Sequence, residues 1–299
     1  MTTPAVFSTG SLRLDQALVI GGIPAGHFIE VYGPESSGKT TLCLHWAAEA
    51  QRLGKDCAWI DTDGTLTNTR AAQCGVHPDH LWILEPGTAE QVLSKLEMLA
   101  ESGAFAMIIL DSLSTMLPEV EPDQAQDRGE QVQIARSLSQ TLRQINPIIR
   151  RNGACLVFTN HPLSAKRSAA YHGLAKNPAR LALKLQAAQR FELRPQRLIQ
   201  QGRRVTGQQV LVRIIKNTFA PCYQAVELDI MYCCGVQITG EILDLGTQLQ
   251  IIRQQGKVYS YRGWLLGKDR QEAIHFLNQN RPLAEDMKQI IRQRLFCDA

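Results

Sequence analysis

Nothing at the N-terminus resembles an apolar signal segment, and no hydrophobic run reaches the length of a membrane span. Neither a cleaved leader nor a helical membrane anchor is therefore expected. There is no C-x-x-C pair, although the chain holds eight cysteines, so a thiolate zinc site is not expected. Cys43, Cys57 and Cys155 lie inside apolar runs, where a free thiol behaves as a small hydrophobe. Unpaired thiols in such a chain point to a reducing cytoplasm. Internal repeats and low-complexity tracts are lacking too, so a repeat architecture is not expected. Charge is sparse: 20% of residues are charged and the formal net charge is +4. That balance is compatible with a polyanionic partner and does not require one. What remains is a globular chain of 299 residues, 44% hydrophobic. It is long enough for one large core and a small appended domain.

One stretch dominates what is present. Gly33-Pro34-Glu35-Ser36-Ser37-Gly38-Lys39-Thr40-Thr41 fits the G-x-x-x-x-G-K-[ST] phosphate loop. Glycine at 33 and 38 lets the backbone wrap closely around a phosphate. Lys39 offers a cation to the β- and γ-phosphates and Thr40 a hydroxyl to Mg²⁺. Phe28–Tyr32 before the loop reads as a buried strand. Thr41–Leu53 after it reads as a helix whose N-terminus favours an anion.

Further apolar runs, Cys57–Thr62, Leu81–Leu84, Ala106–Asp111 and Ala154–Thr159, read as buried strands alternating with helices. The helices expected are Thr69–Cys74, a Thr88-capped segment to Ser102, and Val132–Arg150, kinked or ended by Pro147. Such alternation predicts a mainly parallel sheet covered on both faces. Beyond Arg190 the pattern changes. Gln209–Asn217 and Gln224–Tyr232 alternate as antiparallel strands. From about Thr239 a small separate unit follows, with helices over 241–255, 270–278 and 284–296 and a hairpin over 258–263. Ile108-Ile109-Leu110-Asp111 delivers a carboxylate to a strand end, where Asp111 can hold Mg²⁺.

The loop's middle, Pro34-Glu35-Ser36-Ser37, and its approach, Ser8-Thr9-Gly10-Ser11-Leu12-Arg13-Leu14-Asp15 and Gly21–Gly26, resemble the bacterial RecA recombinase family. The resemblance runs from Ser8 to Phe296. It implies a RecA-type P-loop ATPase core over 1–236, with a mainly parallel central sheet and an antiparallel extension. A small C-terminal α+β domain over 237–299 would follow. It implies ATP and Mg²⁺ as cofactors, single-stranded DNA as partner, and a role in homologous recombination and DNA repair. Pro34, Glu35, Ser36, Ser37 and Thr41 would join Gly33, Gly38, Lys39 and Thr40 around the nucleotide.

The departures matter as much. The family has a catalytic Glu after the second strand; here Ile60-Asp61-Thr62-Asp63 puts Asp63 there, either as a slow base or as a cap on the turn near Thr65. The family's Asn-Gln phosphate sensor is Asn160-His161, so His161 is a sensor, better protonated, or a structural residue. Arg70 takes the adenine-stacking position of a Tyr. One DNA loop of the family corresponds to an acidic segment, 119–129. The other corresponds to 163–180, with Lys166, Arg167, Tyr171, Lys176 and Arg180, and is either a single-strand binder or a solvated loop. Lys216-Asn217-Thr218 keeps one of two interface lysines. The family's filament-packing helix and strand, which precede the region matching Ser8, have no counterpart. The partner is then a second copy of the chain or a full-length RecA-type protein. A second reading follows: a nucleotide-gated, non-filamenting regulator or recombination mediator that hydrolyses little. Arg281, Lys288, Arg292 and Arg294 either touch duplex DNA or form a solvated helix face.

Overall fold

The computed structural model describes residues 4–116, 125–161 and 183–296. In chain order the elements are β1 (Val6–Phe7), α1 (Leu12–Ala17), β2 (Ile23–Pro24), β3 (Phe28–Tyr32), α2 (Lys39–Gln51), β4 (Asp56–Asp61) and α3 (Asn68–Gln73). Then come β5 (Leu81–Leu84), α4 (Ala89–Ser102), β6 (Phe105–Asp111), α5 (Leu113–Met116), α6 (Ala125–Asn152) and β7 (Cys155–Asn160). Long strands β8 (Gln189–Gln201) and β9 (Arg204–Asn217) follow, with β10 (Ala225–Met231) and β11 (Gly235–Val236). The C-terminal unit holds α7 (Ile238–Gln248), β12 (Arg253–Gln255), β13 (Val258–Tyr261), β14 (Trp264–Gly267), α8 (Arg270–Gln279) and α9 (Arg281–Phe296).

A nine-stranded sheet in the order β11-β10-β9-β8-β3-β7-β6-β4-β5 carries the core. Strands β5, β4, β6, β7, β3 and β8 pair in parallel, and β8 to β11 pair antiparallel. Side chains alternate across each strand. Met107 and Ile109 of β6 therefore enter the cluster that includes Leu42 and Trp46 of α2. Ile108 and Leu110 enter the opposite cluster, with Leu96 of α4 and Leu138 and Leu142 of α6. Both faces are buried, which is why these strands read as continuous apolar runs. Helix α4 begins where its cap predicts: the Thr88 hydroxyl accepts from Gln91 N, and Gly103 ends it at φ 63°.

Three expectations change. Helix α6 runs through Pro147 to Asn152. The proline removes one backbone hydrogen bond, while Ile145 and Ile149 on either side are buried and hold the helix in place. Strand β8 is absent from the sequence reading, because Pro195 and its arginines mask the alternation. The chain accommodates Pro195 at a register shift between Pro195 and Arg197. The helix expected over 241–255 starts at Ile238 and stops at Gln248. Gln250 reverses the chain at φ 59°, and Ile252 packs back on Gly246, where a Cβ would lie 2.7 Å from its Cδ1.

The small unit is pinned to the core through α1. Its helix cap, the Ser11 hydroxyl, lies 2.9 Å from both carboxylate oxygens of Glu241. Arg13 pairs with Asp244 at 2.7 Å. Lys288, itself buried, pairs with Glu49 at 2.6 Å. Arg292 pairs with the fully buried Asp15 and donates to Gly21 O at 2.6 Å. Lys288, buried, and Arg292, partly exposed, therefore use their charges in ion pairs within the molecule.

Burial pushes the Glu241 carboxyl up to about 7, against the hydrogen bonds from Ser11 and Arg13 that lower it. The folded state thus holds this proton more tightly than the unfolded chain. Its contribution is full below the ordinary carboxyl value of 4.5 and is lost as pH rises through about 7. Urea midpoints of the wild type are expected to fall across that window relative to Glu241→Gln. Parallel pH profiles of the two proteins would contradict this.

Candidate nucleotide-binding site

The phosphate loop leaves β3 and enters α2 as the sequence predicts. At Gly33 a Cβ would sit 2.5 Å from Leu193 O and 2.7 Å from Ser37 Oγ, so only glycine fits between strand and loop. Gly38 stands at φ 90° as the N-cap of α2, and no side chain caps the helix. The first amides of a 13-residue helix are thereby left for an anion. A second feature points the same way: Ser37 Oγ is buried and has no hydrogen-bond partner among the described residues. Pro34, Glu35 and Ser36 form the exposed rim, and Thr41 is half-buried on the first turn. Gln208 of β9 braces that rim, donating to Ser36 O at 2.6 Å.

The Lys39 ammonium folds onto the loop and donates to Gly33 O and Pro34 O, both at 2.9 Å. Burial lowers its pKa, while the Asp111, Glu35 and Asp63 charges raise it. Thr40 Oγ1 donates to Asp111 Oδ2 at 2.7 Å. The other Asp111 oxygen accepts from the Thr159 hydroxyl. Burial raises the Asp111 carboxyl, and these two hydroxyls oppose that rise. The Thr40 hydroxyl and the Asp111 carboxylate form a hard-oxygen pair that suits Mg²⁺, while the Lys39 cation and the helix N-terminus suit the phosphate it would accompany. Among the described residues no His/Cys/Asp/Glu cluster of three or more forms a separate metal centre.

Asp63 and His161 approach this centre. The Asp63 charge acts on Lys39, Asp111 and His161. Its carboxylate is exposed and accepts from the Thr115 hydroxyl. The turn near Thr65 is capped by Asp61 instead, which accepts from Gly64 N at 3.0 Å and Leu66 N at 2.8 Å. Thr62 clamps the two strand ends: its hydroxyl donates to Ser112 O at 2.9 Å and accepts from Ser112 N at 2.7 Å. His161 N donates to Ser114 Oγ at 2.9 Å. Burial and the Lys39 charge hold the His161 imidazole below its ordinary value, so without an anion it is neutral at pH 7.

Asn160, next to His161, is held from both ends. Its Oδ1 accepts from Ser114 Oγ at 2.9 Å and its Nδ2 donates to Glu30 Oε1 at 3.2 Å. Glu30 is buried and pairs with Arg190, whose guanidinium lies 5.0 Å over the Tyr32 ring. Lys216 pairs in register with Arg190 across β8 and β9. Its ammonium donates to Lys184 O at 3.2 Å and Leu185 O at 2.9 Å. Arg70 is exposed on α3, and among the described residues no hydrogen bond joins its side chain to the phosphate loop. Lys166, Arg167, Tyr171, Lys176 and Arg180 lie outside the described residues, as does most of the acidic segment. Thr115, Thr159 and Ser114 are the site neighbours that the sequence reading missed. A threonine or serine at a strand end carries no spacing signal until the parallel register is known.

A parallel sheet with an antiparallel flank, a phosphate loop at its centre and a strand-end aspartate opposite defines a P-loop α/β core with an appended small domain. The family descriptions RecA N-terminal domain and RecA C-terminal domain match residues 2–237 and 240–296. Protein RecA of Caldanaerobacter subterraneus subsp. tengcongensis is 40% identical over 288 residues, 96% of this chain and 84% of the relative. Protein RecA of Desulforapulum autotrophicum is 38% identical over 290 residues, 97% and 83% respectively. Protein RecA of Rickettsia canadensis is 37% identical over 287 residues, 96% and 83%. The chain belongs to the RecA family.

Lys39→Ala removes a cation whose charge-assisted hydrogen bonds contribute about 1.5–3 kcal/mol each. A fluorescent ATP analogue is expected to bind roughly tenfold to a hundredfold more weakly, with far-ultraviolet circular dichroism unchanged. Equal affinity in the two proteins would contradict the assignment of Lys39 to the nucleotide.

Proposed function

We propose that this protein binds ATP with Mg²⁺ at the loop of residues 33–41 and uses the bound nucleotide to control single-stranded DNA binding in recombination and repair. The observation that supports it most is the Thr40–Asp111 contact at 2.7 Å, a hydroxyl and a carboxylate from separate elements brought together at the helix N-terminus. Gly33, Ser37, Gly38, Lys39 and Thr41 would hold phosphates, and Thr40 and Asp111 the metal. When bound, the metal supplies charge neutralisation between the phosphates. Asp63 would orient water, with Thr115 fixing its carboxylate. His161 would report an anion arriving beside Lys39, because such an anion opposes the influences that now keep the ring neutral.

The residues of the 163–180 segment would meet DNA phosphates, with Tyr171 stacking on a base. We divide the chain into a core over 1–236 and a small domain over 237–299. We infer assembly with further RecA-type subunits, this chain's own copies included, through the Lys216 side of the sheet. The seven described cysteines are free thiols, which supports a reducing cytoplasm. No described helix is long and apolar enough to cross a membrane. Nothing in the geometry favours the alternative of a non-filamenting regulator.

Asp63 ends one bond shorter than glutamate, and a misplacement of about 1 Å costs roughly a hundredfold in rate. Slow phosphate release is therefore expected, and Asp63→Glu should raise it severalfold, with and without single-stranded DNA. A fall in rate on that change would show Asp63 already well placed. In a separate measurement, replacing Lys166, Arg167, Lys176 and Arg180 by Ala should flatten the salt dependence of single-strand binding by about 0.7 in slope per lost contact. DNA binding that ignores these four residues would overturn the assignment of the loop.

A further inference from the structure

The turn between β10 and β11 carries Cys233 and Cys234, the one pair of adjacent cysteines in the chain. Ile230 pairs with Val236 and Met231 with Gly235 across this hairpin, so Tyr232, Cys233 and Cys234 form its tip. Cys233 is exposed and Cys234 half-buried. The Cys233 thiol donates to Cys234 Sγ at 3.6 Å. Burial pushes the Cys234 thiol up to about 11; the contact with Cys233 adds to the rise and the Arg281 charge opposes it. Cys234 therefore stays protonated at neutral pH, and Cys233 is the sulfur that solvent reaches. Cys43, Cys57, Cys74 and Cys155 are buried and act as small hydrophobes. That role does not account for two sulfurs in contact at an exposed tip.

The hairpin is fastened to the phosphate-loop helix at two points. Ile230 Cδ1 lies 2.5 Å from where a Cβ on Gly38 would stand, so Ile230 packs directly on the residue that turns the loop into α2. Two turns further along α2, the buried His45 accepts from Val236 N through Nε2 at 2.8 Å. Gly235, at φ 73°, leaves no slack: a Cβ there would collide with His45 Nε2 and stand 3.2 Å from Cys74 Sγ. Packed contacts of this kind transmit displacement instead of absorbing it. A change in the backbone at 233–234 is therefore passed to Ile230 and Val236, and through them to Gly38 and His45.

We propose that Cys233 and Cys234 are a thiol-modification site, oxidised by a peroxide to a reversible disulfide that loosens the phosphate loop's hold on its nucleotide. The Cys233 thiolate attacks hydrogen peroxide: an S–O bond forms, the O–O bond breaks and hydroxide leaves. The Cys234 thiol then attacks the sulfenic sulfur. The S–S bond forms, the S–O bond breaks, and the hydroxyl leaves as water with the Cys234 proton. The two sulfurs lose two electrons and the peroxide gains them. Adjacent Cα atoms are about 3.8 Å apart, short of the roughly 4.4–6.8 Å that a disulfide ordinarily spans. Closure therefore reshapes the tip, and a dithiol reductant reopens such a bridge readily. Transient disulfides of this kind are the ones a reducing compartment uses for sensing. The coupling to the phosphate loop rests on the nucleotide-binding reading given above.

The test uses the full chain, reduced or treated with hydrogen peroxide, as wild type, Cys233→Ser and Cys234→Ser. Free thiols are alkylated, the chain is digested, and the peptide holding both cysteines is weighed. After peroxide the wild-type peptide should lack two hydrogens and resist alkylation, and dithiothreitol should restore both properties. Affinity for a fluorescent ATP analogue should fall roughly fivefold on oxidation, the size of one neutral hydrogen bond, and return on reduction. Neither serine variant should change its affinity with peroxide. Absence of a disulfide within that peptide overturns the proposal, as does a bridge from Cys234 to Cys74 or between two copies of the chain. An oxidised pair with unaltered affinity overturns the coupling, as does an equal loss of affinity in the serine variants. Reduced wild type that binds no ATP analogue refutes the underlying reading and the coupling with it; the peptide mass then decides alone whether the pair is a thiol site.

Discussion

Much of the site hangs on the Asp111 carboxylate. It sits at the end of an entirely apolar strand, takes one hydroxyl from Thr40 of α2 and another from Thr159 of β7. An isolated buried carboxylate is costly, and its ionised form survives only with hydrogen-bonded partners. The two threonines supply them, and in doing so they register the first turn of the phosphate-loop helix against β6 and β7. Remove that agreement and Lys39, Asp63 and His161 no longer face a common point.

The sheet order explains why these groups can meet. Strands β4, β6, β7 and β3 lie side by side and all run the same way. Their C-terminal ends therefore share one edge, and each delivers a group there: Asp61 at the end of β4 and Asp63 after it, Asp111 from β6, Asn160 and His161 at β7, Gly33 after β3. Ligands of open parallel sheets gather on this edge. A second polar line leaves it through Asn160, Glu30 and Arg190 toward Lys216. It joins the nucleotide edge to the antiparallel flank.

The parts legible in the sequence were those whose chemistry is local. Nine consecutive residues specify the phosphate loop, and Asp111 closes an apolar run that alternates between two cores. Helix α4 could be placed by Thr88 and Gly103 because a cap acts over one turn. What stayed hidden depends on distant neighbours. Thr159 and Thr115 acquire meaning only when β6 and β7 align. Strand β8 was obscured because Pro195 and its arginines lie on the exposed part of the strand, beyond its pairing with β3. The basic face of α9 reads from sequence as a DNA contact or a solvated face, yet Lys288 and Arg292 find Glu49 and Asp15 more than two hundred residues earlier. Asp63 stands at the edge of the candidate site, and its partner, the Thr115 hydroxyl, belongs to a short helix that no periodicity announced.

The central claim is that Asp111 and Thr40 form a metal-dependent phosphate site. Titration calorimetry of a non-hydrolysable ATP analogue, with and without Mg²⁺, tests it on wild-type protein and on Asp111→Asn. The wild type should bind more tightly with Mg²⁺, by tenfold or more on the order of one charge-assisted contact. Asp111→Asn should bind the metal-free analogue as well as the wild type and lose most of the metal-dependent gain. An equal gain from Mg²⁺ in both proteins would contradict the account.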